Sequence, residues 1–361
     1  MSARSRKVVL LVTLVAVGIG AWSWWPAPPR AMTESGQGPV LQSIGPLTFG
    51  ADGTLFAADT GDASVFALDV AGLAKDSAPG TQTAEAVDQK IAAALGTTPT
   101  DIAVTDMAVD PLSRNAFFAV QRGRVPALVR IDGAGKVSVV PFENLRYSKA
   151  ALPDAPTGLF ARGARSEVVT DMALVDDRLW VAGLSNEEFS SKLRSIPYPF
   201  KTVDRGASVE IFHGSHGEWE TASPIYAFAP YSIGGEPRLV AGYLCTPLVT
   251  FSIAELAPGA KVRGKTIAEL GNMNRPLDMV VYQKDGRDFL LMSNNSRGVM
   301  KIPTEAFATA APISSRVSGE KAGIGYETVT GMRNVEQLDL LDEGHAIVLV
   351  KGGDLRVVAL P

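Results

Sequence analysis

Along most of this chain a polar residue opens a short apolar run, a turn follows, and a second, more strongly apolar run returns. The first copy reads I-G-P-L-T-F-G-A-D-G-T-L-F-A-A-D from Ile44 to Asp59, followed by S-V-F-A-L-D. Further copies read T-D-M-A-V-D-P-L-S-R-N-A-F-F-A-V from Thr105 and T-D-M-A-L-V-D-D-R-L-W-V-A-G from Thr170. Two more are L-D-M-V-V-Y-Q-K-D-G-R-D-F-L-L-M-S-N from Leu277 and V-E-Q-L-D-L-L-D-E-G-H-A-I-V-L-V from Val335, and a weaker one starts at Pro224. Each copy predicts a hairpin. The runs are short and rich in Val, Leu, Ile and Phe, and Asp-Gly, Gly-Gly or Asn supplies the positive φ that closes antiparallel strands.

Copies about 50 to 65 residues apart fall in the upper range of propeller repeats. A single small sheet cannot bury both faces, whereas a closed ring of sheets can, and it leaves no long free edge. The expected fold is therefore an all-β propeller. Six copies point to six blades, and seven stays open because the pattern is weak between residues 190 and 275; an open β-sandwich leaves the repeat unexplained. The longest break, Thr83 to Leu95, has apolar residues at helical spacing with Gly96 as a C-cap, which predicts one helix inserted near 83–95 between the first two blades. Residues 144–165 and 185–205 read as long connections, functional loops or a lid over one mouth of the ring.

The beginning of the chain has a different texture. Arg4, Arg6 and Lys7 precede an uncharged run from Val8 to Trp25, the layout of an export signal with its positive end left in the cytoplasm. Trp22, Trp24 and Trp25 resemble an interfacial belt and favour a retained anchor, although the run barely reaches spanning length. Cleavage remains the alternative. Pro26, Pro28 and Pro29 form a stiff spacer. The expected organisation is a signal peptide or anchor with spacer over residues 1–31 and a single propeller over 40–361, exported to the periplasmic or extracellular side.

Composition narrows the function. The 361 residues carry a net charge of −4, and removing the four cations before residue 32 leaves −8. A mildly acidic body argues against nucleic acid as a partner. Cys245 is the only cysteine, so no intrachain disulfide forms. In Y-L-C-T-P-L-V it is expected in a buried strand, without a base that would make it a nucleophile. No G-x-S-x-G, phosphate-loop or dinucleotide motif occurs.

These copies resemble the six-bladed propellers of the NHL-repeat, TolB-like and regucalcin–gluconolactonase group over roughly residues 40 to 361, and they look like exported bacterial propeller proteins. Resemblance to the regucalcin type would imply a divalent cation in the central channel, held by a Glu on the first inner strand and by Asn and Asp further round. Here Ile44 stands before Gly45-Pro46 where that family has Glu. Its Pro-Asn-Gly start corresponds best to Arg275-Pro276-Leu277-Asp278, without the Asn.

Candidate chemistry follows from the repeats. Asp106, Asp171 and Asp278 each precede Met and an apolar strand, which would bring three carboxylates to one mouth of the channel. With Asn294 and Glu336, and with Asn186, Asn295 and Asn334 nearby in sequence, they could hold Ca²⁺, a cation that prefers oxygen ligands. Alternatively, each Asp caps its own blade by accepting backbone N–H groups. His213 and His216, in H-G-S-H, predict a hairpin turn. Zinc would need a third ligand of matching geometry, and the remaining histidine, His345, also adjoins a turn glycine. The stretch 185–206 sets Phe189, Tyr198 and Phe200 among Lys192, Arg194 and other charges, the composition of a partner- or ligand-binding patch. The alternative is a segment stapled to the rim by its aromatics. The reading is a binding or accessory module for a protein or small ligand, tethered to the membrane if the leader is retained. A cation-dependent hydrolase or lactonase using the channel carboxylates is the competing reading, and a purely structural envelope protein the third.

Overall fold

The computed structural model describes residues 37–73, 83–157, 161–245 and 247–361. The expected leader over 1–31 lies outside them. Among the described residues no helix is long and apolar enough to cross a membrane.

The described chain forms six small antiparallel sheets in a ring, a six-bladed β-propeller. The inner strands, in chain order, are Leu47–Phe49, Ile102–Val109, Asp171–Val175, Ile225–Ile233, Pro276–Lys284 and Val335–Asp342. Each continues through a tight hairpin into a strand buried on both faces. In the fourth and fifth blades the hairpins turn on Gly234-Gly235 and Asp285-Gly286, all four with positive φ.

Two-sided burial explains the apolar runs. In Thr54–Asp59 every residue is buried. Leu55 and Ala57 pack with Phe117 and Leu128 of the second blade. Phe56 and Ala58, on the opposite face, pack with Leu179 and Val181 of the third. Successive side chains of a strand point to opposite faces, so one strand serves two inter-blade cores. Six such cores occur, one at each seam.

Blade order round the ring differs from chain order. The inner strand of the first blade lies between those of the second and third, and the second packs against the sixth. The ring therefore reads second, first, third, fourth, fifth, sixth. Two strand additions make this possible. After leaving the second blade the chain runs as Tyr147–Ala151 along the outside of the first blade, paired with Ser64–Leu68, and only then enters the third. Part of the expected long connection 144–165 is thus the missing fourth strand of the first blade. The sixth blade has three strands of its own. Ala84 adds to its edge, exchanging hydrogen bonds of 2.9 and 2.8 Å with Leu355. The inserted helix is present as Val87–Ala94, with Gly96 at positive φ beyond its end. Val87 and Ile91 fill the seam between the second and sixth blades.

One ion pair fastens the displaced first blade to the third. Asp154, just beyond Tyr147–Ala151, accepts hydrogen bonds from Arg194 Nη2 at 2.9 Å and Nε at 3.3 Å. Both side chains are essentially inaccessible to solvent, and the Asp154 carbonyl accepts the Asn186 N–H at 2.9 Å. Breaking such a pair strands a buried charge, at a cost of about 3–5 kcal/mol. Arg194→Met should therefore lower stability by about that amount in urea unfolding. Arg194→Met combined with Asp154→Leu should recover much of the loss.

Candidate functional site

The inner strands enclose a channel with a cavity of about 420 Å³. Asp106, Asp171 and Asp278 line it together, as their shared position before an apolar strand implied, and Asp339 joins them from the sixth blade. Each carboxylate makes the same pair of bonds. One oxygen accepts the backbone N–H of the next residue, at 2.8 Å for Met107, 2.7 Å for Met172, 2.8 Å for Met279 and 2.7 Å for Leu340. The other accepts a backbone N–H from the inner strand of the adjacent blade. Asp106 holds Leu47 at 2.6 Å, Asp171 holds Phe228 at 2.6 Å, Asp278 holds Leu338 at 2.9 Å and Asp339 holds Val109 at 2.7 Å. The four clamps all point the same way round the ring, so they link blades as well as capping their own.

Burial shifts these groups. Their accessible surface is only partly lost, yet what remains faces the channel rather than bulk water. Loss of hydration raises Asp106 to about 7, Asp171 to about 8 and Asp339 to about 6, while their backbone N–H bonds pull the other way. Asp278 is also pushed well above the ordinary carboxylate range, by burial and then by the charge of Asp106. The N–H donors favour the charged form, but desolvation outweighs them. Among the described residues, no three of these aspartates bring ligand oxygens within 4.8 Å of one another.

The other two residues of the expected cation set lie elsewhere. Asn294 closes a local turn, donating to the Gly298 carbonyl at 2.5 Å and accepting the Arg297 N–H at 2.7 Å. Glu336 is exposed beside Val87 and Asp88, in a separate hollow.

The stretch 185–206 is not an open loop, which corrects the sequence expectation. Ser191–Pro197 is a strand in the middle of the third blade. Lys192 is buried, donating to Glu187 at 2.7 Å and Ser208 at 2.9 Å. Arg194 is consumed by Asp154. Tyr198 and Phe200 pack edge-on against Phe56, with centroids 4.9 and 6.0 Å away. These four side chains are packed into the fold, while Lys201 and Arg205 of the same stretch are exposed. Phe189 carries the Lys261 ammonium 4.0 Å above its ring. Cys245 also departs from expectation. It sits half-buried in the turn after Glu236–Tyr243, with φ of 58°.

The mouth where the inner strands begin holds residues that the sequence gave no reason to select. Arg275 lies 4.1 Å over the Tyr226 ring, and the Tyr226 hydroxyl donates to Glu167 at 2.9 Å. Burial and that carboxylate push the phenol up to about 12. Thr170 Oγ1 and Gln337 Oε1, both on residues lining the cavity, are buried without a hydrogen-bond partner. Met273 stands almost free beside Arg275, at 85% exposure.

No protein-family model and no curated protein matches the sequence. Among solved structures, a chain from the mitotic checkpoint complex aligns over 98% of this chain and 99% of its own at 10% identity, with a TM-score of 0.40. A chain of Kuenenia stuttgartiensis hydrazine synthase aligns over 90% and 98% at 10% identity, with a TM-score of 0.37. Neither likeness bears on function, and the assignment to the six-bladed β-propellers rests on the six sheets themselves. The resemblance to the NHL-repeat, TolB-like and regucalcin–gluconolactonase group stays at the level of that architecture.

Raised carboxyl groups give a signed pH dependence. A group whose pKa is higher in the folded state binds more protons there than when unfolded, so its contribution to stability falls as pH rises. For Asp171 the window runs from the unfolded value near 3.8 to about 8. Asp171→Asn keeps the shape without the ionisation. Relative to the wild type it should be less stable at pH 5, where it lacks one acceptor, by about 1–3 kcal/mol. That gap should narrow steadily toward pH 9 in thermal unfolding. A constant gap would show that Asp171 does not titrate in this window.

Proposed function

We propose that this chain is an exported propeller that serves the cell envelope as a binding or accessory module rather than as a hydrolase. The observation that carries the reading is the commitment of the channel carboxylates. Asp106, Asp171, Asp278 and Asp339 each hold two backbone N–H groups and hold adjacent blades together. Each oxygen already accepts one backbone N–H, so a metal ion or a reacting group would have to share these carboxylates with bonds that hold the blades together. The export part of the reading rests on the positive, then apolar, leader.

The binding surface we assign is the mouth at the start of the inner strands. Tyr, Arg and Met are enriched where proteins recognise partners; Tyr226 and Arg275 line the cavity together, and the exposed Met273 lies two residues before Arg275 in the chain. The Tyr226–Arg275 stack is fixed in advance by Glu167, which lowers the ordering cost of binding.

A photo-crosslinking side chain at position 273, in cells that express the full chain, should give a discrete adduct in the envelope fraction. Tyr226→Ala and Arg275→Ala should each weaken that association by about tenfold or more, the range of an interface hot spot. Absence of an adduct, together with calcium-dependent ester or lactone hydrolysis that Asp106→Asn abolishes, would replace this reading with the hydrolase. A reporter phosphatase that needs an oxidising compartment, fused after residue 40, should be active. An inactive fusion, with the protein recovered from the cytoplasm, would remove the envelope from the reading.

A further inference from the structure

The H-G-S-H turn acquires a third ligand from the neighbouring blade. His213 ends the strand Ala207–His213 of the third blade, and His216 lies in the turn that leads to Glu218–Glu220. Cys245 comes from the fourth blade, in the turn between Glu236–Tyr243 and Pro247–Ser252. A ligand atom from each of these three residues lies within 4.8 Å of the other two. The imidazole rings are 3.9 Å apart between centroids and tilted by 42°.

The surroundings prepare the histidines as ligands. Glu220 Oε1 lies 2.9 Å from His213 Nδ1 and 2.6 Å from His216 Nδ1. A carboxylate can only accept, so both Nδ1 atoms donate, and in the neutral imidazole each Nε2 keeps its lone pair. A carboxylate behind a histidine is the usual support of a metal-binding imidazole, fixing its tautomer and orientation. Glu220 is fixed in turn by the Ser223 hydroxyl. His213 is only 3% exposed, and its Nε2 has no hydrogen-bond partner. A buried imidazole nitrogen left without a partner is costly, and a cation among these side chains would supply one. Close by, Glu269 accepts the Gly214 N–H through Oε1 at 2.5 Å, while its buried Oε2 is unpartnered.

We propose that His213 Nε2, His216 Nε2 and the Cys245 thiolate form a metal site at the seam between the third and fourth blades, for a divalent ion of the zinc class. Two imidazoles and one thiolate suit a borderline-soft ion rather than Ca²⁺ or Mg²⁺, which take oxygen. Three protein ligands leave a fourth position for water. The half-exposed His216 and Cys245 give an ion its path in. This site is independent of the channel and of the partner-binding mouth.

Cobalt(II) is the probe, because a thiolate bound to it gives a charge-transfer absorption that imidazole and carboxylate do not. Full-length protein stripped with chelator should take up one equivalent of cobalt with that absorption, and zinc should displace it. Zinc should also slow alkylation of Cys245. Cys245→Ser should abolish the band, and Glu220→Gln should keep it while weakening zinc binding by about 10- to 100-fold. His216→Ala, at a half-exposed turn position, tests the histidines without removing buried volume; it should lower affinity further than Glu220→Gln, with an unchanged circular-dichroism spectrum as the control on folding. The site is overturned if wild-type protein shows no thiolate band. It is equally overturned if zinc uptake is the same in Cys245→Ser and His216→Ala as in the wild type.

Discussion

Every blade of this ring has two apolar faces, and neither can be left to water. Alternate side chains of one strand, Leu55 and Ala57 on one side and Phe56 and Ala58 on the other, belong to different cores. Hydrophobic burial is proportional to area and indifferent to direction, so it demands that the ring close but does not say in which order the blades stand. That freedom is what this chain uses. Its first three strands fill the slot between the second and third blades, and Tyr147–Ala151 completes their sheet from the far side. The Asp154–Arg194 pair then sits where the chain passes from the first blade to the third. There it adds the directional constraint that apolar packing lacks.

The channel aspartates extend the same argument. Taking four carboxyl groups out of bulk water into one narrow space works against stability, through lost hydration and mutual repulsion. The compensation is geometric, since each group ties its own strand to the inner strand of the next blade. Two junctions lack this device: no such aspartate runs from the first blade to the third, or from the fourth to the fifth. At the first of these the buried Asp154–Arg194 pair stands instead. At the second, the apolar seam is deep, with Leu248, Leu290 and Met292 fully buried in one cluster. Polar clamps and apolar mass are thus used at different places for the same end.

How much of this was readable in the sequence depends on the range of the interaction. Hairpins are local, and the alternation of turn residues with Val, Leu and Phe runs revealed six of them. The three T-D-M and L-D-M steps located three of the four clamps. Asp339 stands in Q-L-D-L, the same pattern with Leu in place of Met, and the recurring feature was Asp before an apolar strand rather than the methionine. Blade order was not legible, because Tyr147–Ala151 carries no mark of the sheet it will join. Lys192 and Arg194 looked like surface because charge is usually solvated. The distant Asp154 and the Leu184 carbonyl for Arg194, and Glu187 and Ser208 for Lys192, make their burial tolerable. Asn294 and Glu336 were drawn into the cation set by residue type alone, and the fold sends one to a turn and the other to the outside.

Where chemistry can occur follows from what the ring has already used. At the centre, each carboxylate oxygen already holds one backbone N–H group. Among the buried polar atoms that lack a hydrogen-bond partner, Thr170 Oγ1 and Gln337 Oε1 belong to residues lining the cavity, and His213 Nε2 and Glu269 Oε2 lie near the seam of the third and fourth blades. A buried polar atom without a partner costs free energy in the folded state. On this reasoning the channel is the mechanical axis of the protein. The proposed recognition surface lies at its mouth and the proposed ion site at a seam, where residues distant in sequence meet only because the ring has closed.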